Sequence, residues 1–300
     1  MSHINRHQIA ERFRLLQDDI CRQLEAADGS GRFQEDPWTR PEGGGGRSRV
    51  IEGAVIEKGG VMFSEVFGPL PEITAKAMSL PPTDFFATGV SIVLHPCSPM
   101  APIIHMNVRY FETGTGRWWF GGGIDLTPHY VVPDDARYFH QQLKAVCDRF
   151  HPQFYADFKA QADDYFFLRH RQETRGVGGI FFDYLDDQSG LSQPQLCDFA
   201  VAVGDTFAPT YAELLRRAAP RPFGQEQQAW QALRRGRYVE FNLVWDRGTK
   251  FGLETNGRTE SILVSMPPAA AWRYGHQPAA GSPEAETLAW LRKGIEWLPN

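Results

Sequence analysis

No run of 18 or more apolar residues occurs in this 300-residue chain, so a membrane-spanning helix is not expected. The opening "MSHINRHQIAERFRLLQ" lacks the apolar centre of a secretory signal, and the cytoplasm is the expected compartment. Cysteine is scarce. Cys21, Cys97, Cys147 and Cys197 stand far apart with no C-x-x-C pair, which removes a zinc knuckle or a redox dithiol from consideration. There is no excess of positive charge either: a net charge of -5 gives no bulk attraction to nucleic acid or to anionic membranes. The four-glycine run Gly43–Gly46 is not followed by G-K-[ST], so it reads as the flexible part of a loop rather than a phosphate cradle. Internal repeats and a convincing linker are also missing, and the expectation is a single domain over residues 1–300.

What is present is enough apolar material, 42% of residues, for a substantial core. Ile9, Phe13, Leu16, Ile20 and Leu24 recur at helical spacing and predict an amphipathic helix over 8–27. The stretches 53–67, 85–95, 102–112 and 117–125 read as strands, rich in β-branched and aromatic residues. With no helical crossover between the last three, antiparallel pairing is expected. Further helices are expected at about 134–149, 151–170, 192–217 and 224–235, with a last one ending near Leu298 and a short helix or junction at 258–266. "RGVGGIFFDYL" reads as a glycine turn feeding a strand. In "YVEFNLVWDRG", alternation of Val239, Phe241, Leu243 and Trp245 against their polar neighbours predicts another. The fold class is therefore α+β, a large antiparallel sheet covered by helices.

Within that sheet, "SIVLHPCSPMAPIIHMNVRYFE" (91–112) carries polar groups where they are costly. On an extended strand His105, Asn107 and Arg109 share one face, and Ser91 and His95 project together from the preceding strand. If the two strands pair around the 96–102 turn, these groups converge, and a slip of one residue would separate them. Three roles compete for the histidines. His105 can act as an acid or base beside an Arg109 that holds a carboxylate. His95 and His105 can instead begin a metal site, for which His140 and His170 are the remaining candidates. Or each is simply a hydrogen-bonded, partly exposed residue.

"RWWFGGGIDLTPHY" (117–130) places three glycines before Asp125; they permit close approach of a flat ligand or a tight reversal. Asp125 is either a carboxylate acceptor of N–H groups or a cap ahead of "LTP". Arg169, His170, Arg171 and Arg175 fall at the end of a predicted helix, where cations suit the dipole. Arg258 follows the Asn256-Gly257 turn and is placed to grasp an oxyanion. Together these residues point to an anionic organic ligand held by Arg109 and Arg258 and altered at carbon.

"SIVLHPCSPMAPIIHMNVRYFE", "WWFGGGIDLTPHY", "RGVGGIFFDYL" and "YVEFNLVWDRGTKFGLETNGRTESILVSMPP" jointly resemble the oxygen-dependent coproporphyrinogen III oxidases, across roughly residues 8–298. The resemblance implies an enzyme of haem biosynthesis that converts two propionates of coproporphyrinogen III to vinyl groups. Protoporphyrinogen IX and CO2 are the products and dioxygen is the co-substrate. It implies a homodimer, with 238–273 matching the dimer-forming region, and a large flat antiparallel sheet flanked by helices on both sides. It implies no organic cofactor, with a divalent metal such as manganese proposed for His95, His105, His140 and His170. By the same match His105 is the proton donor, and Ser91, Asn107, Val108 and Arg109 contact substrate. Asn256, Gly257 and Arg258 form a second binding group, Asn256 standing where glycine is common in similar bacterial enzymes. Asp125 matches the carboxylate that engages pyrrole N–H groups or promotes their deprotonation.

Overall fold

A computed structural model describes residues 4–77, 81–254 and 257–298. Its elements run α1 (Arg6–Asp28), β1 (Gln34–Thr39), β2 (Gly44–Ile51), β3 (Ile56–Pro69), α2 (Glu72–Ala77), β4 (Asp84–Pro96), β5 (Ile103–Thr113) and β6 (Trp118–Thr127). There follow α3 (Pro133–Asp148), α4 (Phe154–Tyr165), β7 (Phe167–Leu168), β8 (Glu173–Thr174), β9 (Gly179–Leu185), α5 (Gln193–Ala218), α6 (Gln225–Val244), α7 (Arg247–Glu254), α8 (Thr259–Leu263) and α9 (Pro283–Trp290). Seven strands form one antiparallel sheet in the order β1-β2-β3-β4-β5-β6-β9, and β7 and β8 pair separately. The expected α+β class and the antiparallel sheet are both observed.

Side chains alternate across each strand, so the sheet has two chemically different faces. Met106, Val108 and Tyr110 of β5, with Phe120 and Ile124 of β6, are fully buried beneath α1, α3, α4 and α5. α1 begins with a capping box, Asn5 accepting from the His7 N–H while Gln8 accepts from the Asn5 N–H. Its buried stripe, Ile9, Phe13, Leu16, Ile20 and Leu24, is the one the spacing predicted. α6 and α8 lie on the other face, where Tyr238 packs edge-on against His95 at 5.3 Å and Ser261 meets Ser48 at 2.9 Å. The part of this face over β5 and β6 that they leave open is called the site face below.

Two expectations are corrected. "YVEFNLVW" is the end of α6, not a strand. Tyr238, Phe241, Asn242 and Trp245 also recur at helical spacing, and burial follows that period: Tyr238, Phe241 and Asn242 are buried while Leu243 and Val244 are exposed. Gly44–Gly46 open β2 rather than forming a loop. A Cβ on Gly45 would stand 2.1 Å from the Trp38 carbonyl oxygen, so β1 and β2 approach more closely there than a side chain allows. Smaller differences are that α9 ends at Trp290, the 151–170 helix stops at Tyr165, and 258–266 resolves into the short α8.

Candidate functional site

The register of β4 against β5 pairs Ser91 with Asn107, Val93 with His105 and Gly89 with Arg109. β5 against β6 then pairs His105 with Asp125, Asn107 with Gly123 and Arg109 with Gly121. Directly paired residues of an antiparallel sheet project to the same side. Ser91, His105, Asn107, Arg109 and Asp125 therefore share the site face; alternation and strand pairing predicted this for the first four, and β6 adds Asp125. Val108 points the opposite way and is fully buried in the core, so any substrate contact there is through its main chain.

His105 and Asp125 touch, Nδ1 to Oδ1 at 2.8 Å. Asp125 is also held by Arg175, which lies in the turn before β9. Nη2 donates to Oδ1 at 2.6 Å and Nε to Oδ2 at 3.1 Å. The third arm of the guanidinium, Nη1, donates to Asn242 of α6 at 2.7 Å. Its plane sits among the rings of Phe166, Tyr238 and Phe241 at 4.5, 4.8 and 4.6 Å. Both side chains of the Asp125–Arg175 pair are only 2% exposed. Burial by itself would raise the Asp125 carboxyl, but Arg175 and the hydrogen bond from His105 outweigh it and hold the group below its ordinary value.

An ionised Asp125 has no proton to give, so the proton between the two groups belongs to His105 Nδ1 and Nε2 is left for chemistry. Asp125 is thus part of a strand and an ion pair, not the cap of a turn, and both its oxygens are engaged.

Arg109 is more open, with its side chain 35% exposed. Nη1 donates to Asn107 Oδ1 at 2.7 Å, and Nη2 lies 2.8 Å from Asp183 Oδ1 of β9. The guanidinium lies across Gly121, where an added Cβ would meet Cζ at 2.8 Å. Gly121 is therefore a floor within a strand that lets the guanidinium lie flat, Gly122 makes room for the core ring of Phe182, and no chain reversal occurs there. Arg258, at the start of α8, donates through Nη1 to Ser48 Oγ at 3.0 Å and through Nη2 to Asp36. Ser48 pairs with Met62, Met62 with Ser91 and Ser91 with Asn107, so Arg258 sits over the same transverse row as Asn107, three strands away, roughly 14 Å. Gly257 precedes it and is exposed, and Asn256 lies outside the described residues.

The four histidines proposed as metal ligands do not converge, and among the described residues no group of three or more His, Cys, Asp or Glu is placed to hold a metal ion. His140 is on α3, fully buried, with Nδ1 bonded to Tyr155 and Nε2 facing the Val177 carbonyl oxygen at 2.9 Å. His95 Nε2 meets the Ser265 carbonyl oxygen at 2.9 Å. His170 lies between Glu240 and Trp245, at 2.8 and 2.9 Å. The shared residue type is explained by these separate partners, and the set does not fit a common ion.

A family model described as coproporphyrinogen III oxidase matches residues 8–297. The chain belongs to the coproporphyrinogen III oxidase family. The oxygen-dependent coproporphyrinogen-III oxidase of Synechococcus sp. (strain CC9605) is 51% identical over 308 aligned positions, covering 94% of this chain and 85% of that protein. The chloroplastic oxygen-dependent coproporphyrinogen-III oxidase of Glycine max is 50% identical over 301, with 95% and 77% covered. That of Prochlorococcus marinus is 48% identical over 310, with 95% and 90% covered.

In this member of the coproporphyrinogen III oxidase family, two residues at the site carry no clear signal in the sequence. Pattern alone groups Arg175 with the helix-end arginines, although its place just before the "GVGG" turn, feeding the strand beside Asp125, is an available hint. Asp183 sits in the quoted "FFDYL", and only the strand pairing shows that it reaches Arg109.

Burial pushes the imidazoles of His95 and His129 down to about 3 and that of His140 to about 4, from an ordinary 6.5. These three are neutral when folded and take up protons only on unfolding once the pH falls below about 6.5. Their contribution is complete above that value and is lost as pH falls toward 4, at up to about 4 kcal/mol per pH unit for the three together. Urea unfolding between pH 7 and pH 4.5 checks this, and His140→Gln is expected to flatten the slope by about a third. A midpoint independent of pH over that range would contradict the neutral burial.

Proposed function

We infer that the chain catalyses the oxidative decarboxylation of two propionate groups of coproporphyrinogen III to vinyl groups, giving protoporphyrinogen IX and CO2 with dioxygen as oxidant. The observation that carries this is near-full-length identity of about half the residues to enzymes bearing that name, over the segments that build the site face. For each side chain the carboxylate leaves as CO2, its bonding pair becomes the new C=C bond, and the carbon next to the ring gives up a hydrogen with two electrons. Those electrons pass to dioxygen.

The residue roles are proposals supported by position. Arg109 orients one propionate and Arg258 a second, three strands apart, through charge-assisted hydrogen bonds. Ser91 and Asn107, with the main chain of Val108 and Gly257, complete the polar contacts, and Asn256 belongs to the same binding group by its place in the chain. His105 moves the proton through Nε2, as base toward an electron-rich pyrrole N–H or as acid toward reduced oxygen. Asp125 acts through His105, fixing its tautomer and orientation, rather than by touching the ring. The reaction is proposed to use no organic cofactor and to take no step through His95, His140 or His170.

Residues 1–300 are proposed to work as one domain, which a large buried cluster with members from Ile9 to Trp297 supports. A cytoplasmic homodimer is proposed with them. Leu243, Val244, Leu253 and Trp272 are exposed large apolar residues within 238–273, which supports that stretch as the contact between copies. Among the described residues no helix is long and apolar enough to cross a membrane.

Conversion of coproporphyrinogen III, followed after oxidation to the porphyrins, is expected in air and not under anaerobic conditions. His105→Gln is expected to lower kcat about 10²- to 10³-fold with KM little changed. Arg109→Met is expected to raise KM about tenfold or more, the worth of a charge-assisted hydrogen bond. No turnover by folded protein in air would overturn the assignment. Light scattering is expected to give about twice the 33.9 kDa chain mass, falling toward one chain in Leu243→Arg.

A further inference from the structure

The pairing of β6 with β9 is irregular at one point. Phe120 pairs with Leu185 and Gly122 with Phe182, so two residues, Asp183 and Tyr184, stand opposite Gly121 alone. This is a β-bulge, a device that re-aims side chains beside active sites. Without it, alternation would turn Tyr184 toward the core and Leu185 outward. With it, Leu185 joins the core and Tyr184 lies tilted against Trp119, ring centroids 5.1 Å apart, while Asp183 meets Arg109. The conformation has a cost: Tyr184 has φ 52°, in the left-handed region that non-glycine residues rarely adopt. Asp183, next to the core-facing Phe182, projects to the site face with or without the bulge and sets a carboxylate on the guanidinium proposed to bind a propionate.

We propose that Asp183 is a placeholder carboxylate: it neutralises Arg109 from within the protein and gives way to a substrate propionate, so that it sets the affinity for anionic substrate. This rests on the reading of Arg109 as a propionate anchor. The contrast with Arg175 separates a placeholder from a permanent clamp. Asp125 grips Arg175 through two oxygens, and both side chains are 2% exposed. Asp183 meets Arg109 through one oxygen at 2.8 Å, and the two side chains are 22% and 35% exposed, so water can take over the carboxylate when it swings away. Arg109 does not need Asp183 to stay in position, because Asn107 holds Nη1 and the Gly121 floor supports its plane. Asp183 Oδ1 also accepts from the Tyr184 N–H at 3.1 Å, a local bond that keeps the carboxylate at hand.

The test compares steady-state kinetics with coproporphyrinogen III for Asp183→Asn, Arg109→Met and the double variant. Removing a competing internal carboxylate is expected to lower KM roughly three- to tenfold, a larger change than any in kcat, and the drop is expected to vanish when Arg109 is already Met. Asp183→Ser, which keeps an oxygen for the Tyr184 N–H, is the second variant should Asn disturb the bulge, with circular dichroism and melting checking the fold of each. A KM that is unchanged or raised in the folded Asp183 variants, while Arg109→Met raises it, overturns the placeholder and leaves the anchor standing. A KM untouched by Arg109→Met overturns the anchor and the placeholder with it.

Discussion

The Asp125–Arg175 ion pair is the constraint on which the site depends. It ties β6 to the turn before β9, carries Asn242 and so α6 with it, and fixes the ring of His105. A buried pair of this kind is a poor source of stability, because desolvation of two charges consumes much of what their attraction returns. Removing one partner, however, strands the other, at about 3 to 5 kcal/mol. The pair therefore holds one arrangement against alternatives, and its three surrounding aromatic rings replace part of the water that Arg175 has lost.

Around this fixed point the site face divides its charges by exposure. The deep guanidinium is held by Asp125 and Asn242 and orients other groups. The shallow ones, Arg109 and Arg258, are open enough to trade partners with an anion from solution. Both kinds use the same chemistry at different depths, Arg175 being 2% exposed, Arg109 35% and Arg258 29%.

Much of this was legible in the sequence, for an identifiable reason. Strand alternation has a period of two, so His105, Asn107 and Arg109 had to share a face, and the core required Met106, Val108 and Tyr110 on the other. Local pattern failed where two periods fitted the same residues, as at Tyr238–Trp245, and where spacing between strands admitted only glycine, as at Gly45. It also failed where partners come from distant segments. Arg175 lies 50 residues from Asp125, Asp183 meets Arg109 from a strand two places away in the sheet, and resemblance groups four histidines that separate elements pull apart.

The alternation has a last consequence for how such a chain can change. Val108 is fully buried between Asn107 and Arg109, so site face and core are written on alternate letters of one strand. Substitution can alter either face by itself. Insertion or deletion of one residue inside β5 cannot, because it would put apolar side chains on the site face and charged ones in the core together. Length variation is thereby directed to the connections, such as 97–102 and 114–117, and the strands between them are held to their length by geometry before any selection on chemistry.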